Sequence, residues 1–347
     1  MKAHRMTREI EDNRRGTRVT LHDVAEAAGV SKSTVSRILD ERLPRANNAT
    51  ADRVRQVATE LGYIRDVAAA NLRRGQSLTI GVIVPRLTDT VMAMLYEALA
   101  RASARVGRFA IVATTDDNPG AVRTAADSLL RRGVDGLVLA TARDDDDFTE
   151  ELEQRGVPFV LALRSDGRSP SSVGDDQLGG YLATRHLLDL GHRRIGLIAG
   201  PSFASSSRLR AEGYRQAVRE AGIDLDPELI VASTFGIESG AEAAETLLSR
   251  PVPPTAIFAV NDNTAIGAMS TISRRGLSVP GDVSLIGYND IPLVNLLPTP
   301  LTTVRVPFDQ IAVEALDLLA HAGEVQEAEI RRATPTVIPR QSTARCR

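Results

Sequence analysis

The sequence predicts a small all-α head joined to a larger α/β body of two doubly wound parallel-sheet lobes. Three observations predict it. Over residues 19–63 the apolar residues recur at helical spacing in three short segments separated by turn residues. From residue 78 onward, short apolar runs alternate with Ala/Arg/Glu-rich helical stretches, the βαβ pattern of parallel sheets covered on both faces. The charge divides at the same place: residues 1–77 carry +5 and the remainder −7, for a net −2. A chain of 347 residues, 43% hydrophobic and 25% charged, has material for two or three domains with buried cores.

Residues 1–18 carry +3 and are expected to form a disordered basic tail, without the apolar stretch of a secretory signal. The head follows at 19–63. Thr20 can cap a first helix, with Asp23 completing a reciprocal pair, and Leu21, Val24, Ala25 and Ala28 share one face. Gly29 supplies the left-handed stop. Ser31 can cap a second helix whose inward face is Val35, Ile38 and Leu39 and whose outward face is Lys32, Ser33, Ser36 and Arg37. Asn47 or Asn48 caps a third, with Val54, Val57, Ala58 and Leu61 inward and Gly62 ending it. Two short helices joined by Ala-Gly-Val-Ser and braced by a third are a helix-turn-helix arrangement. A second helix with donors and no acids on its outer face suits the major groove of DNA, and a basic head on an acidic body fits a polyanionic partner. A generic three-helix bundle is the bland alternative.

Residues 64–77 form a small-residue stretch ending in Arg-Arg-Gly-Gln-Ser, too short to be a stable helix alone. The body, 78–347, then reads as strands at 78–84, 109–114, 137–140, 159–163, 195–199, 229–233, 256–260 and 285–288. Helices are expected between them, among them 89–106, 121–132, 147–154, 179–190 and 208–221. Parallel sheets bind ligands beyond the carboxyl ends of their strands. There the sequence places Arg164, Arg208, Arg210, Phe235, Asn261, Asp262, Asn289 and Asp290. Acceptors, a forked donor and a flat ring suit a small, polar, oxygen-rich metabolite. Each has a plainer reading as a helix cap, a turn or a surface residue.

No Gly-rich phosphate loop, nucleophile turn or metal spacing among the five histidines occurs, so no cofactor or metal is expected and an enzyme is disfavoured. The acidic run Asp144–Asp147 reads as a solvated helix start. The single cysteine, Cys346, has no disulfide partner, and no apolar run reaches the about 20 residues of a membrane span. Together these point to the cytoplasm.

The runs TLHDVAEAAGVSKSTVSRILD (20–40) and TADRVRQVATELGY (50–63) resemble the DNA-binding head of the LacI/GalR family of bacterial transcriptional regulators. The similarity continues through LIAGP (197–201), SRLRAEGY (207–214), FAVNDNTAIGAM (258–269), DVSLIGYND (282–290) and PLTTV (300–304), which resemble a periplasmic-binding-protein-like effector domain. The resemblance implies that Lys32, Ser33 and Arg37 approach base edges, with Thr20, Ser31, Thr34 and Ser36 at phosphates. It also implies that 64–77 is a hinge helix ordering on DNA, with Leu72 wedged into the minor groove and Ala69 beside it. It implies that Arg210 holds effector oxygens, that Asn261, Asp262 and Asn289 hold hydroxyls, and that Phe235 stacks on a ring. The chain departs from the family at 89–92, where Asp-Thr-Val-Met replaces Asn-Pro-Phe-Phe, and at Asn289, where many relatives carry Asp. The lobes are expected to be joined near 176–180, 304–308 and again near the C-terminus. The implied function is a homodimeric regulator, a repressor, on near-palindromic double-stranded DNA, controlled by a small-molecule effector, a sugar or related metabolite. A regulator controlled by a partner protein and a metabolite-binding protein without DNA function are the alternatives.

Overall fold

The computed structural model describes residues 19–40, 46–63, 77–322 and 329–346. The chain divides into two compact units between Gln76 and Ser77. The expected tail, and the hinge with Ala69 and Leu72, lie outside the described residues.

The first unit has three helices, Leu21–Ala28, Lys32–Ile38 and Ala49–Glu60. Thr20 Oγ1 accepts from the Asp23 N–H and the Asp23 carboxylate accepts from the Thr20 N–H at 2.8 Å, a complete capping box. Gly29 stops that helix at φ 64°, where a side chain would be strained. Ser31 Oγ caps the second helix through the Thr34 N–H at 3.1 Å. Asn48, and not Asn47, caps the third. Val24, Ala25, Ala28, Val35, Val54 and Ala58 make the core, with Ile38, Leu39 and Leu61 packed against it.

The second unit holds twelve strands among its described residues. β1–β5 are Thr79–Val84, Phe109–Thr114, Gly136–Leu139, Phe159–Ala162 and Ser171–Gly174. β6–β9 are Ile195–Ala199, Ile230–Ala232, Ala256–Ala259 and Ser284–Ile286. β10–β12 are Thr303–Arg305, Ile330–Ala333 and Thr336–Ile338. One sheet runs β11-β5-β4-β3-β1-β2 and another β7-β6-β8-β9, both wholly parallel. Helical crossovers cover their faces, as parallel pairing requires. The chain leaves the first lobe after β5 through the helix Asp176–Asp189. It returns after β10 through Phe308–Ala320, which packs on β4 and β5, and β11 completes the first sheet. It leaves again to pair β12 antiparallel with β10.

Four strands go beyond the sequence expectation. β5 (Ser-Ser-Val-Gly) is buried although polar, because Ser171 Oγ donates to the Ser169 carbonyl at 2.7 Å and Ser172 Oγ to Glu314 at 3.4 Å. β11 is an edge strand whose Arg331 pairs with Asp317 and Glu329. β10 and β12 are three residues each. The helix expected at 208–221 is Ser205–Glu220, so Arg208 lies within it and does not open it. The acidic run is also not a freely solvated helix start. Asp145 pairs with Arg143, Asp146 and Asp147 with Arg123, and Asp144 with Arg208.

The helices Asp176–Asp189 and Ser205–Glu220 approach closely because Gly180 and Gly213 face the partner backbone. A Cβ on Gly180 would lie 2.2 Å from the Arg210 carbonyl oxygen, and one on Gly213 2.1 Å from that of Gln177. This approach sets Asp176 against Arg210.

Candidate nucleic-acid interface and ligand cleft

On the second helix of the first unit, Lys32, Ser33 and Arg37 are exposed, while Thr34 and Ser36 are half-buried. Neither Lys32 nor Arg37 has an ion-pair partner among the described residues, and the helix has no acid. Ser31 and Thr34 hydroxyls lie 2.8 Å apart and share the cap, and Thr20 is likewise engaged in its capping box. The Thr20 hydroxyl donates to Asp23 at 3.0 Å, whereas the two bonds among the Ser31, Ser33 and Thr34 hydroxyls leave at least one of their three protons for a phosphate. The face thus offers two unpaired cations and several donors beside a helix start.

In the second unit a cleft of about 390 Å³ opens between the two sheets. Residues just beyond β1, β2 and β4 line one wall, and residues beyond β6, β7, β8 and β9 the other. Four of the non-glycine residues with left-handed φ line it: Asp117 (57°), Leu163 (63°), Phe235 (67°) and Asn289 (106°). Backbone strain of this kind persists where the surroundings over-determine it, and it clusters at binding sites.

The cleft brings together Arg164, Arg210, Phe235, Asn261 and Asn289. Arg164 is buried and donates to both oxygens of Asp117, at 2.8 and 3.1 Å. Its guanidinium carbon lies 5.8 Å from the Phe235 ring centroid. Arg210 donates through Nε to Asp176 at 2.7 Å and through Nη1 to the Val260 carbonyl at 2.8 Å, and it lies over the Tyr288 ring at 3.7 Å. Burial opposes the charge on Arg210, and the Asp176 carboxylate more than offsets it, so the guanidinium pKa is raised. Arg210 Nη2 makes no hydrogen bond among the described residues.

Asn261 is committed at both ends. Its Oδ1 accepts from the Thr264 N–H at 2.9 Å, and its Nδ2 donates to the Phe235 carbonyl at 3.0 Å. It therefore holds Phe235 in its left-handed conformation. Asn289 is the converse: its backbone N–H donates to Val304 at 2.7 Å, while its side-chain amide bonds to nothing among the described residues. That amide offers both a donor and an acceptor to the cleft.

Asp262 corrects the sequence reading. It does not line the cleft. Its side chain is fully buried, accepting from Thr303 Oγ1 at 2.6 Å and from the Ile291 N–H at 2.8 Å. Burial pushes its pKa up to about 7, against the lowering effect of both bonds. Arg208 is outside the lining too, tied to Asp144 at 2.9 Å.

The sequence reading missed Asp117, Leu163, Ser206 and Asn263, and Asp176 and Tyr288 behind Arg210. The rule of looking beyond strand ends would have found Asp117, three residues past β2. Asp89 was noticed only as a departure, yet it lines the cleft, and its Oδ1 accepts from Asn263 of the opposite lobe at 3.2 Å. Burial raises its pKa. The described residues hold no cluster able to bind a metal and no helix long and apolar enough to cross a membrane.

Comparison with known proteins adds the following. The family model for bacterial regulatory proteins of the lacI family matches residues 20–66, and that for a periplasmic binding protein-like domain matches 184–343. The chain is 35% identical over 305 residues to the HTH-type transcriptional repressor CytR of Escherichia coli (strain K12), covering 87% of this chain and 89% of the relative. It is 34% identical over 305 residues to the ribose operon repressor of Escherichia coli (strain K12), covering 87% and 92%. It superposes on the lac repressor dimer bound to operator and the anti-inducer ONPF with a TM-score of 0.84 at 29% identity, covering 94% of this chain and all of that one.

Proposed function

The chain belongs to the LacI family of bacterial regulatory proteins, and from that premise we propose how it works. It is a sequence-specific DNA-binding transcriptional regulator, a repressor, whose operator affinity is set by a small effector in the cleft between its lobes. It acts as a homodimer in the cytoplasm, each head reading one half of a near-palindromic operator. Lys32, Ser33 and Arg37 read bases, and Thr20, Ser31, Thr34 and Ser36 hold phosphates. Leu72, beside Ala69, wedges the minor groove at the operator centre. Arg210, Arg164, Phe235 and Asn289 form the effector site, with Asn261 holding Phe235. Asp262 fixes the wall behind them.

The observation that carries the reading is the strained, buried lining of the cleft, with the unshared Asn289 amide, in the same chain as an acid-free helix bearing two unpaired cations. The test is selection of DNA from the source genome by the purified chain, followed by release of the selected site in a metabolite screen. A palindromic consensus and its release by a metabolite are expected. Binding without sequence preference, or a selected complex that no metabolite alters and a partner protein does, would overturn it.

A further inference from the structure

The lining of the cleft is balanced in charge before any ligand enters. Arg164 is held by both oxygens of Asp117, at 2.8 and 3.1 Å, and Arg210 by Asp176 at 2.7 Å. The helix Thr90–Arg105 begins at the cleft, and its electropositive start is filled by Asp89, whose Oδ1 accepts from the Val91 N–H at 3.0 Å. Arg86, the remaining arginine of the lining, lies 3.6 Å from Asp116. What the wall leaves over adds no net charge: Arg210 Nη2 (on a guanidinium already balanced by Asp176), the Asn289 amide and the Ser206 hydroxyl make no hydrogen bond among the described residues. Two helix starts, at Ser205 and Ile237, lack side-chain caps and offer backbone N–H donors; the second carries Glu238 in its first turn, which offsets its dipole. Val91, Met92 and Leu163 give the opposite wall an apolar face.

We propose that this cleft takes an uncharged effector, with a hydroxyl- or amide-bearing edge toward Asn289 and an apolar face toward Val91 and Met92, and that it rejects phosphorylated and carboxylated metabolites. The proposal rests on the cleft being the effector site. An anion entering would shed its water and find the charge of each arginine already balanced, with Asp89, Asp117 and Asp176 close by. Beyond the partial charge at the start of the Ser205 helix, no unpaired charge is there to compensate. Rejection is thus built in by carboxylates of the chain itself. The side chain that faces the ligand with spare capacity, Asn289, is neutral and can match either a hydroxyl or an amide.

The test is calorimetric titration of the full chain with orthophosphate and with ribose 5-phosphate at constant ionic strength. The unaltered chain should show no saturable binding up to about 10 mM, the range of negligible affinity. Asp117→Asn should free Arg164 and bring orthophosphate binding to about 1 mM or tighter. Asn tolerates the left-handed φ of 57° at that position, so the substitution suits the backbone. Asp89→Asn, which keeps the oxygen that accepts from Val91, is the second variant should the first fail to fold. Saturable binding of either anion by the unaltered chain, abolished by Arg210→Lys, would overturn the proposal. So would a folded Asp117→Asn or Asp89→Asn that still rejects orthophosphate. Release of the selected operator by a phosphorylated metabolite would overturn the charge rule and leave the regulator standing. Absence of operator binding would sink the regulator and leave the titrations readable.

Discussion

Asn289 sits at φ 106°, where only glycine is comfortable, and its side-chain amide has no hydrogen-bond partner among the described residues. Strain and an unsatisfied amide are poorly explained by folding alone and point to a ligand. Asn289→Gly should therefore keep or raise stability while weakening effector binding about ten-fold, the worth of one or two hydrogen bonds. Isothermal titration with a released effector checks it, and unchanged affinity would remove Asn289 from the site. Arg210→Ala is the poorer probe. It leaves Asp176 buried without its partner, at a cost of about 3–5 kcal/mol, and would confuse folding with binding. Asp262 gives a prediction in pH. Its folded pKa is about 7 against an ordinary 3.8, so the folded chain holds a proton that the unfolded chain has lost. Stability from this group is present below about pH 4 and lost as the pH rises to about 7. In Asp262→Asn, the amide oxygen can still accept from Ile291 and the amide nitrogen can donate to Thr303. Its melting temperature should gain on that of the unaltered chain between pH 4 and 7 and hold that gain above. A pH-independent difference between the two would mean that Asp262 titrates as an ordinary carboxylate.

At the scale of elements, the second helix carries function on the side its core does not use. Val35 is buried, and Lys32, Ser33 and Arg37 project away from it. Arg37→Ala should leave the head folded, since Arg37 is exposed, and should cost about 1–3 kcal/mol in discrimination if it pairs with a guanine. Comparing operator with random DNA in a mobility shift decides: equal weakening on both would make it a phosphate contact. Elements like this helix were legible from sequence because cap, apolar face and stop all lie within ten residues. The same held for the β1–β4 and β6–β9 strands, whose side chains are mostly apolar. It failed for β5 and β11, whose serines and arginines are satisfied by partners far along the chain, such as Glu314 and Asp317. The cleft was legible in part for a similar reason. Strand ends located Arg164, Arg210, Phe235, Asn261 and Asn289. Which of them are free was not legible, because Asp117, Asp176 and the Phe235 carbonyl are brought to them only by the fold. Asp262 was misread because Asn261-Asp262 at a helix start suits either a ligand or an internal bond. Thr303, its partner, comes from the strand that crosses between lobes.

At the scale of the body, the two lobes are joined across the cleft by contacts that need no ligand. The Asp144 N–H donates to the Phe203 carbonyl at 3.0 Å, the Ser165 N–H to Ser205 Oγ at 2.9 Å, and Asn263 Nδ2 to Asp89 at 3.2 Å. Arg143 lies 3.6 Å over the Phe203 ring. In each pair one residue follows a strand of the first sheet and the other belongs to the second lobe. The closed arrangement is thus favoured by the chain itself. Phe203→Ala keeps the backbone bonds and deletes the ring. A stacked cation contributes about 0.5–2 kcal/mol, so the closed population relative to the open should fall about five-fold. The amides of Asp144 and Ser165 donate across the cleft, so their hydrogen exchange reports opening directly. Phe203→Ala should speed exchange at both amides about five-fold and leave that of Val82, inside β1, unchanged. The apparent affinity of a ligand that binds only the closed form should change little, because the open form stays minor and the closed fraction stays near one. Equal acceleration at Val82 would mean that the ring supports the whole body, and unchanged exchange at Asp144 would mean that the stack does not hold the lobes together.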